Sequence, residues 1–181
     1  DVWPLTWQSK QVTPSMPSPR AGHALVYDGQ NERVLLFGGG FGAGGQFKDL
    51  WTFDGATWAK VHEGPMDGRR YAAFGFDVHR AIAMLFGGET SSDLFDDTWE
   101  WDTAASTWSE RITLTRPEKR AGMSLAYDAK RKCMVLFGGY GLSGQPLDDT
   151  WEYRVVSGTC TTAAECQGVP CVDGACCSTA S

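Results

Sequence analysis

The chain has 181 residues, enough for one domain with a real core or for part of a larger one; 42% are hydrophobic and 21% charged, the balance of a globular rather than a disordered protein. Its net charge is −6 and its longest basic run is Lys130, Arg131 and Lys132, so its field repels a phosphate backbone and no nucleic-acid partner is expected. No apolar stretch approaches the roughly 20 residues of a membrane-spanning helix, while eight Trp and nine Phe favour pleated, half-buried surfaces.

The chain opens at Asp1 without a basic and apolar leader, from which a mature or excised product is expected. "TWQSKQVTPSMPSPR" (6–20) aligns with "TWAKVHEGPMDGRR" (57–70) and "TWSERITLTRPEKR" (107–120) further along. Four strands are then predicted in "GHALVYD" (22–28), "RVLLFGG" (33–39), "DLWTFD" (49–54) and "TWAKV" (57–61), apolar or alternating runs set between Gly, Asp and Pro. The set recurs: "AMLFGG" (83–88), "DTWEWD" (97–102) and Thr107-Trp108, then "MVLFGG" (134–139) and "DTWEYR" (149–154). Gly38, Gly87 and Gly138 are 49 and 51 residues apart, and Arg20, Arg69 and Arg120 each lie eight residues before Asp28, Asp77 and Asp128. Such a period marks a repeat architecture. No helix is predicted in residues 1–155, and the fold class is all-β. Strands apolar on both faces need cover on both, which stacked sheets around an axis supply.

A double glycine ending the second strand, an Asp-x-Trp third strand, a later Trp and an Arg ahead of the first strand resemble the kelch repeat of β-propellers. The likeness spans about 150 residues and implies three four-stranded antiparallel blades in residues 1–155. The first residues, of fourth-strand type, would then complete the last blade, which has no "TW" of its own. Three blades fall short of the usual four to eight of a ring, so two closures are expected: a head-to-tail homodimer of three plus three blades, or the remainder of a longer chain.

Residues 156–181 form a second unit. Cys160, Cys166, Cys171, Cys176 and Cys177 stand among small and polar residues that cannot make a core, so disulfides are expected there. Zinc is the weaker reading, because no His lies nearby. The segment resembles the short cysteine-rich modules of secreted bacterial proteins, which implies an extracellular or cell-surface location. Cys133, at the start of a second strand, is expected as a lone buried thiol.

Chemistry is tested next. "GFGAGG" (40–45) fits a dinucleotide fingerprint, but a strand follows it, not a helix. His23, His62 and His79 fall at different points of the repeat, His62 in a predicted loop, and no nucleophile motif is present. Galactose oxidase is the obvious kelch-type enzyme, yet its copper-ligand set has no residue-by-residue match. "DLFDD" (93–97) makes calcium a minor candidate without EF-hand spacing, and no other cofactor is expected. Asp49, Asp97 and Asp149, just before each third-strand Trp, are expected to fix a loop.

What remains is a surface. The resemblance places the fourth-to-first and second-to-third strand loops on one face, at 11–19, 60–68, 109–119, 40–48, 89–96 and 140–148. They vary while the strands repeat, as a rigid scaffold carrying recognition would. Arg20, Arg69, Arg120, Asp93, Asp96 and Asp148 are the candidate binding residues, with a brace between neighbouring blades as the other role open to the arginines. The expected function is non-catalytic docking of a protein or glycan. The rivals are part of a propeller enzyme, oxidase or glycan-active, with its site on missing blades or unplaced loops, and a structural subunit that only self-associates.

Overall fold

The computed structural model describes residues 5–155 apart from 11, 13, 14, 43, 44 and 114, together with the backbone of residues 171, 172, 175 and 176. The first sheet is β1 (Ala24–Asp28), β2 (Arg33–Phe37), β3 (Asp49–Phe53) and β4 (Trp58–Glu63), paired in chain order and antiparallel throughout. The second repeats it with β5 (Ala73–Asp77), β6 (Ile82–Phe86), β7 (Thr98–Asp102) and β8 (Thr107–Glu110). The third has β9 (Ser124–Asp128), β10 (Cys133–Phe137) and β11 (Thr150–Tyr153). Three antiparallel sheets of four, four and three strands match the expected blades.

Local chemistry fixes each turn. Asp28, Asp77 and Asp128 end the first strand of each blade, and one carboxylate oxygen of each accepts the N–H groups two and three residues on. This side-chain closure of the turn explains why an Asp recurs at that point.

The core lies between blades. Leu35, Phe37 and Leu50 of the first blade meet Phe74, Phe76, Ala83, Leu85 and Trp101 of the second. Across the second junction, Ala73, Met84 and Phe86 meet Met134 and Leu136, with Leu125 and Tyr127 packed alongside. Alternate residues of one strand therefore serve two neighbours: Ala83 and Leu85 face backward, Met84 and Phe86 forward. This is why β5 and β6 are buried along their whole length.

Two expectations change, and one lies outside the described residues. The third blade has three strands rather than four, because the fourth-strand segment that would cover β11 lies at the opposite end of the blade row. Residues 5–10 form no strand and Trp7 is fully exposed. His62 belongs to β4, not a loop: a register shift between Leu50 and Trp51 carries the strand on to Glu63 and pairs His62 with Leu50. In the C-terminal segment, β12 (Cys171–Val172) pairs with β13 (Ala175–Cys176), and the side chains of Cys160, Cys166, Cys171, Cys176 and Cys177 lie outside the described residues, as does their expected cross-linking. Cys133 is a free, buried thiol, as expected.

Candidate functional site

Strand pairing decides which loops share a face. Ala24 opposes Phe37, Phe37 opposes Leu50, and Asp49 opposes Glu63. The start of β1, the end of β2, the start of β3 and the end of β4 are thus on one side, and the β2–β3 and inter-blade loops leave from it. The second blade repeats this with Ala73 opposite Phe86, Phe86 opposite Thr98 and Trp99 opposite Glu110.

The base of this loop face is a row of three identical clasps. Arg20 reaches Asp49 at 2.6 and 3.0 Å and donates to Gly38 O at 2.9 Å. Arg69 holds Asp97 at 2.5 and 2.9 Å and Gly87 O at 3.0 Å. Arg120 holds Asp149 at 2.5 and 2.7 Å and Gly138 O at 3.1 Å. Each carboxylate also accepts the indole N–H two residues on, from Trp51, Trp99 or Trp151 at 2.6 to 2.8 Å. The Asp-x-Trp spacing puts both side chains on one side of the strand, and the planar guanidinium supplies a fork that fits both carboxylate oxygens. Two of the arginines also lie over aromatic rings, Arg20 at 4.1 Å from the Phe47 centroid and Arg69 at 4.0 Å from Phe95. The third blade has Leu147 at that place.

The Arg120 fork holds Asp149 down from its ordinary 3.8 to about 2, against a smaller upward push from burial. At Asp49 burial pushes upward most, yet the bonds from Arg20 and Trp51 together prevail and the net shift is downward.

These clasps also tie blade to blade through the backbone. Arg69 N–H donates to Phe47 O (3.0 Å), Gly39 N–H donates to Arg69 O (2.8 Å), and Tyr71 N–H donates to Gly22 O (2.7 Å). The second junction repeats the set one for one, with Arg120 to Phe95 O (3.0 Å), Gly88 to Arg120 O (2.9 Å) and Gly122 to Tyr71 O (2.9 Å). Arg69 and Arg120 each bond one blade through the backbone and the next through the side chain, the placement of a brace, whereas the Arg20 clasp lies within the first blade. Sequence spacing singled out the arginines and the aspartates separately; that they pair could have been read from their shared recurrence in every unit.

The candidate acids are not brought together. Asp93 accepts from Ser92, Asp96 pairs with Arg116 at 2.9 Å, and Asp97 is held by Arg69. Among the described residues no three His, Cys, Asp or Glu side chains gather as a metal site would require. Asp93 and Asp148 are exposed and Asp96 half-buried. A second network joins neighbouring blades on the loop side: Arg70 binds Glu89 at 3.1 Å, and Tyr140 O–H donates to Glu89 at 2.8 Å. Sequence reasoning overlooked three exposed apolar side chains on the loop face, Phe41 in the β2–β3 loop, Leu142 in the β10–β11 loop and Ile112 in the β8–β9 loop, 70%, 79% and 68% exposed. A hydrophobic residue within a Gly-rich or polar loop was the available signal.

Repeated antiparallel sheets stacked face to face, with the same clasp recurring from blade to blade, define β-propeller blades. The chain belongs to the kelch-repeat family: residues 1–180 match the KLHDC2/KLHL20/DRC7 Kelch-repeats domain. It is 34% identical over 154 residues to an F-box/kelch-repeat protein of Arabidopsis thaliana, covering 76% of this chain and 31% of that protein. It is 30% identical over 158 residues to the flagellar outer-arm dynein alpha chain of Chlamydomonas reinhardtii, covering 81% of this chain and 3% of the relative. A tRNA wybutosine-synthesizing protein 4 of Aspergillus fumigatus is 30% identical over 154 residues, with 80% and 14% covered. The chain thus spans less than a third of the length of each of these relatives.

The relatives correct the expected location. A flagellar dynein, an F-box protein and a tRNA-modification protein, all eukaryotic, point away from extracellular secretion and give no support to a bacterial source. The misleading signal was the cysteine spacing of residues 160–177, which outweighed the kelch body. Kelch repeats generally mediate protein interactions and are mostly non-enzymatic. One relative is nonetheless named for wybutosine synthesis, so the relatives leave a catalytic role open. No helix among the described residues is long and apolar enough to cross a membrane.

Proposed function

We propose that this chain is a non-catalytic recognition module that docks a protein on the loop face. The observation that carries the reading is the set of exposed apolar side chains, Phe41, Ile112 and Leu142, on loops that leave the same edge of the blades. A partner that covers them gains burial worth about 25 cal/mol per Å² of apolar surface, while the scaffold below is braced and loses little freedom on binding. Asp93, Asp96 and Asp148 add an acidic margin that favours a basic or polar rim on the partner. Arg20, Arg69 and Arg120 hold the loops that present these groups. The complete platform needs more blades than this chain carries, from a second copy or from a longer polypeptide.

Selection from a random-peptide library tests the reading, with a glycan array run beside it. Peptides that bind the wild-type chain are expected to bind a Lys130→Ser control on the opposite turn equally. A variant carrying Phe41→Ser, Ile112→Ser and Leu142→Ser should bind them at least about tenfold less tightly, a loss of roughly 1.4 kcal/mol. Equal binding to the triple variant, or glycan binding with no selected peptide, overturns the reading.

A further inference from the structure

A cavity of about 310 Å³ lies between the second and third blades, within the size range of pockets that hold small organic molecules. His79 and Lys132, which line it, belong to the β5–β6 and β9–β10 turns, so it opens on the side of the blades opposite the loop face. Its floor is apolar. Ile82 and Met84 of the second blade face Met134 of the third, and all three are buried. Tyr127 and Tyr153 of the third blade line it as well, and the Tyr127 hydroxyl lies 2.7 Å from His79 Nδ1.

The first junction has different side chains at the same places. Phe76 and Trp101 stand there where the third blade has Tyr127 and Tyr153; they are 4% and 1% exposed, whereas both tyrosines are half-buried. The phenol of Tyr153 also fills less space than the indole of Trp101. On the facing blade, the cross-strand pair Leu35 and Thr52 of the first junction becomes Met84 and Glu100 in the second. The cavity is therefore set by side chains of two blades that face each other inside the row.

Charge decides what can enter. Glu100 is 2% exposed, and a carboxylate so placed would draw a cation if it stood bare. It does not: Arg80 and Arg111 donate to it at 2.6 and 2.7 Å, and Tyr153 O–H donates at 2.9 Å. Asp77 closes the turn, accepting the N–H groups of His79 and Arg80 at 2.9 and 3.2 Å. Arg154 is tied to Glu152. Lys132 is exposed at the mouth and has no ion pair among the described residues. The uncommitted charge along this lining is thus positive, in a chain whose net charge is −6.

We propose that this cavity binds a small molecule built of an aromatic ring and a carboxylate. The ring lies against Met84 and Met134, between Tyr127 and Tyr153, because thioethers and phenol rings are favourable partners for aromatic surface. The carboxylate stays at the mouth and pairs with Lys132, where water still reaches it and the cost of burying a charge is avoided. Arg80 and Arg111 keep Glu100 from repelling it. The site shares none of these residues with the loop face.

The test is a titration of the full 181-residue chain, its methionine methyl groups isotope-labelled for NMR, with naphthoate and, separately, with uncharged naphthamide. Naphthoate is expected to shift the Met84 and Met134 methyl signals and to saturate below about 1 mM, while Met16 and Met66 stay in place. No saturable shift, or shifts confined to Met16 or Met66, overturns the proposal. Naphthamide should bind at least about tenfold less tightly, the loss of one hydrogen bond to a charged group. Lys132 has φ 55°, a backbone that asparagine tolerates, so Lys132→Asn removes the charge without strain and should abolish the preference for naphthoate. Equal binding of both probes to the wild type, or a preference that survives Lys132→Asn, refutes the pairing. Tyr153→Trp gives the second junction the residue of the first and should weaken naphthoate by at least about tenfold. Unchanged binding to a folded Tyr153→Trp chain overturns the site, and should that variant not fold, the methyl shifts of the wild type decide.

Discussion

At the residue scale the clasp is the unit of explanation. Arg69 is 1% exposed and Asp97 partly so, and breaking a buried pair from one side leaves a charge without its counter-charge. Arg69→Met should therefore lower unfolding free energy by about 3 kcal/mol in urea titrations and Arg120→Met by less, because Asp149 is 39% exposed and solvent screens it, whereas Arg69→Lys, which keeps the charge but loses the fork, should recover part of the loss. Acid should act on the same groups. Asp149 has its carboxyl lowered from 3.8 to about 2 by Arg120, and Asp49 is also shifted downward. A depressed carboxylate contributes stability that is present above its unfolded value and is lost as pH falls through the folded one. Stability followed by tryptophan fluorescence should hold as pH falls toward about 4 and decline between about 4 and 2; a chain indifferent over that window would deny the carboxylates this role.

At the element scale the double glycine matters because of what approaches it. Gly38 and Gly39 have φ of 66° and 86°, and a Cβ on Gly38 would meet Arg69 O at 2.5 Å. Gly42 also has positive φ, 55°, yet has open space around it. Gly38→Ala should add a steric collision to the roughly 1 to 2 kcal/mol of left-handed strain that Gly42→Ala incurs alone, and comparing the two denaturation midpoints separates the effects. Much of the element pattern was legible in the sequence, because Gly38, Asp28 and Trp51 recur at fixed offsets and each has a local reason to be where it is. The extension of β4 through His62 was not, since a register shift depends on how Leu50 and Trp51 seat against their neighbours. Phe41, Ile112 and Leu142 were passed over for a related reason: exposure is set by the packing of other residues, and it leaves no period in the chain.

At the scale of the whole molecule, two broad cores between three blades make the middle blade common to both. Phe74→Ala or Met84→Ala in that blade should cost about 2 to 5 kcal/mol and should broaden or split no transition, because neither neighbour keeps its cover once the middle sheet loosens. Calorimetry with one symmetric peak is expected for the wild type and both variants. The pairing of β11 with a fourth strand is the one large-scale feature where sequence and structure part: alignment of Trp7 with Trp58 and Trp108 identifies its type, while only position in the row decides which sheet it can reach.

The split placement of Arg69 and Arg120 has a consequence for how such a protein can change over time. A unit bearing its own arginine, double glycine and Asp-x-Trp brings along both the plug and the socket of its connection. Units can then be duplicated or deleted without any neighbour having to alter, and ring size becomes a matter of counting copies while the chemistry of the joint stays fixed.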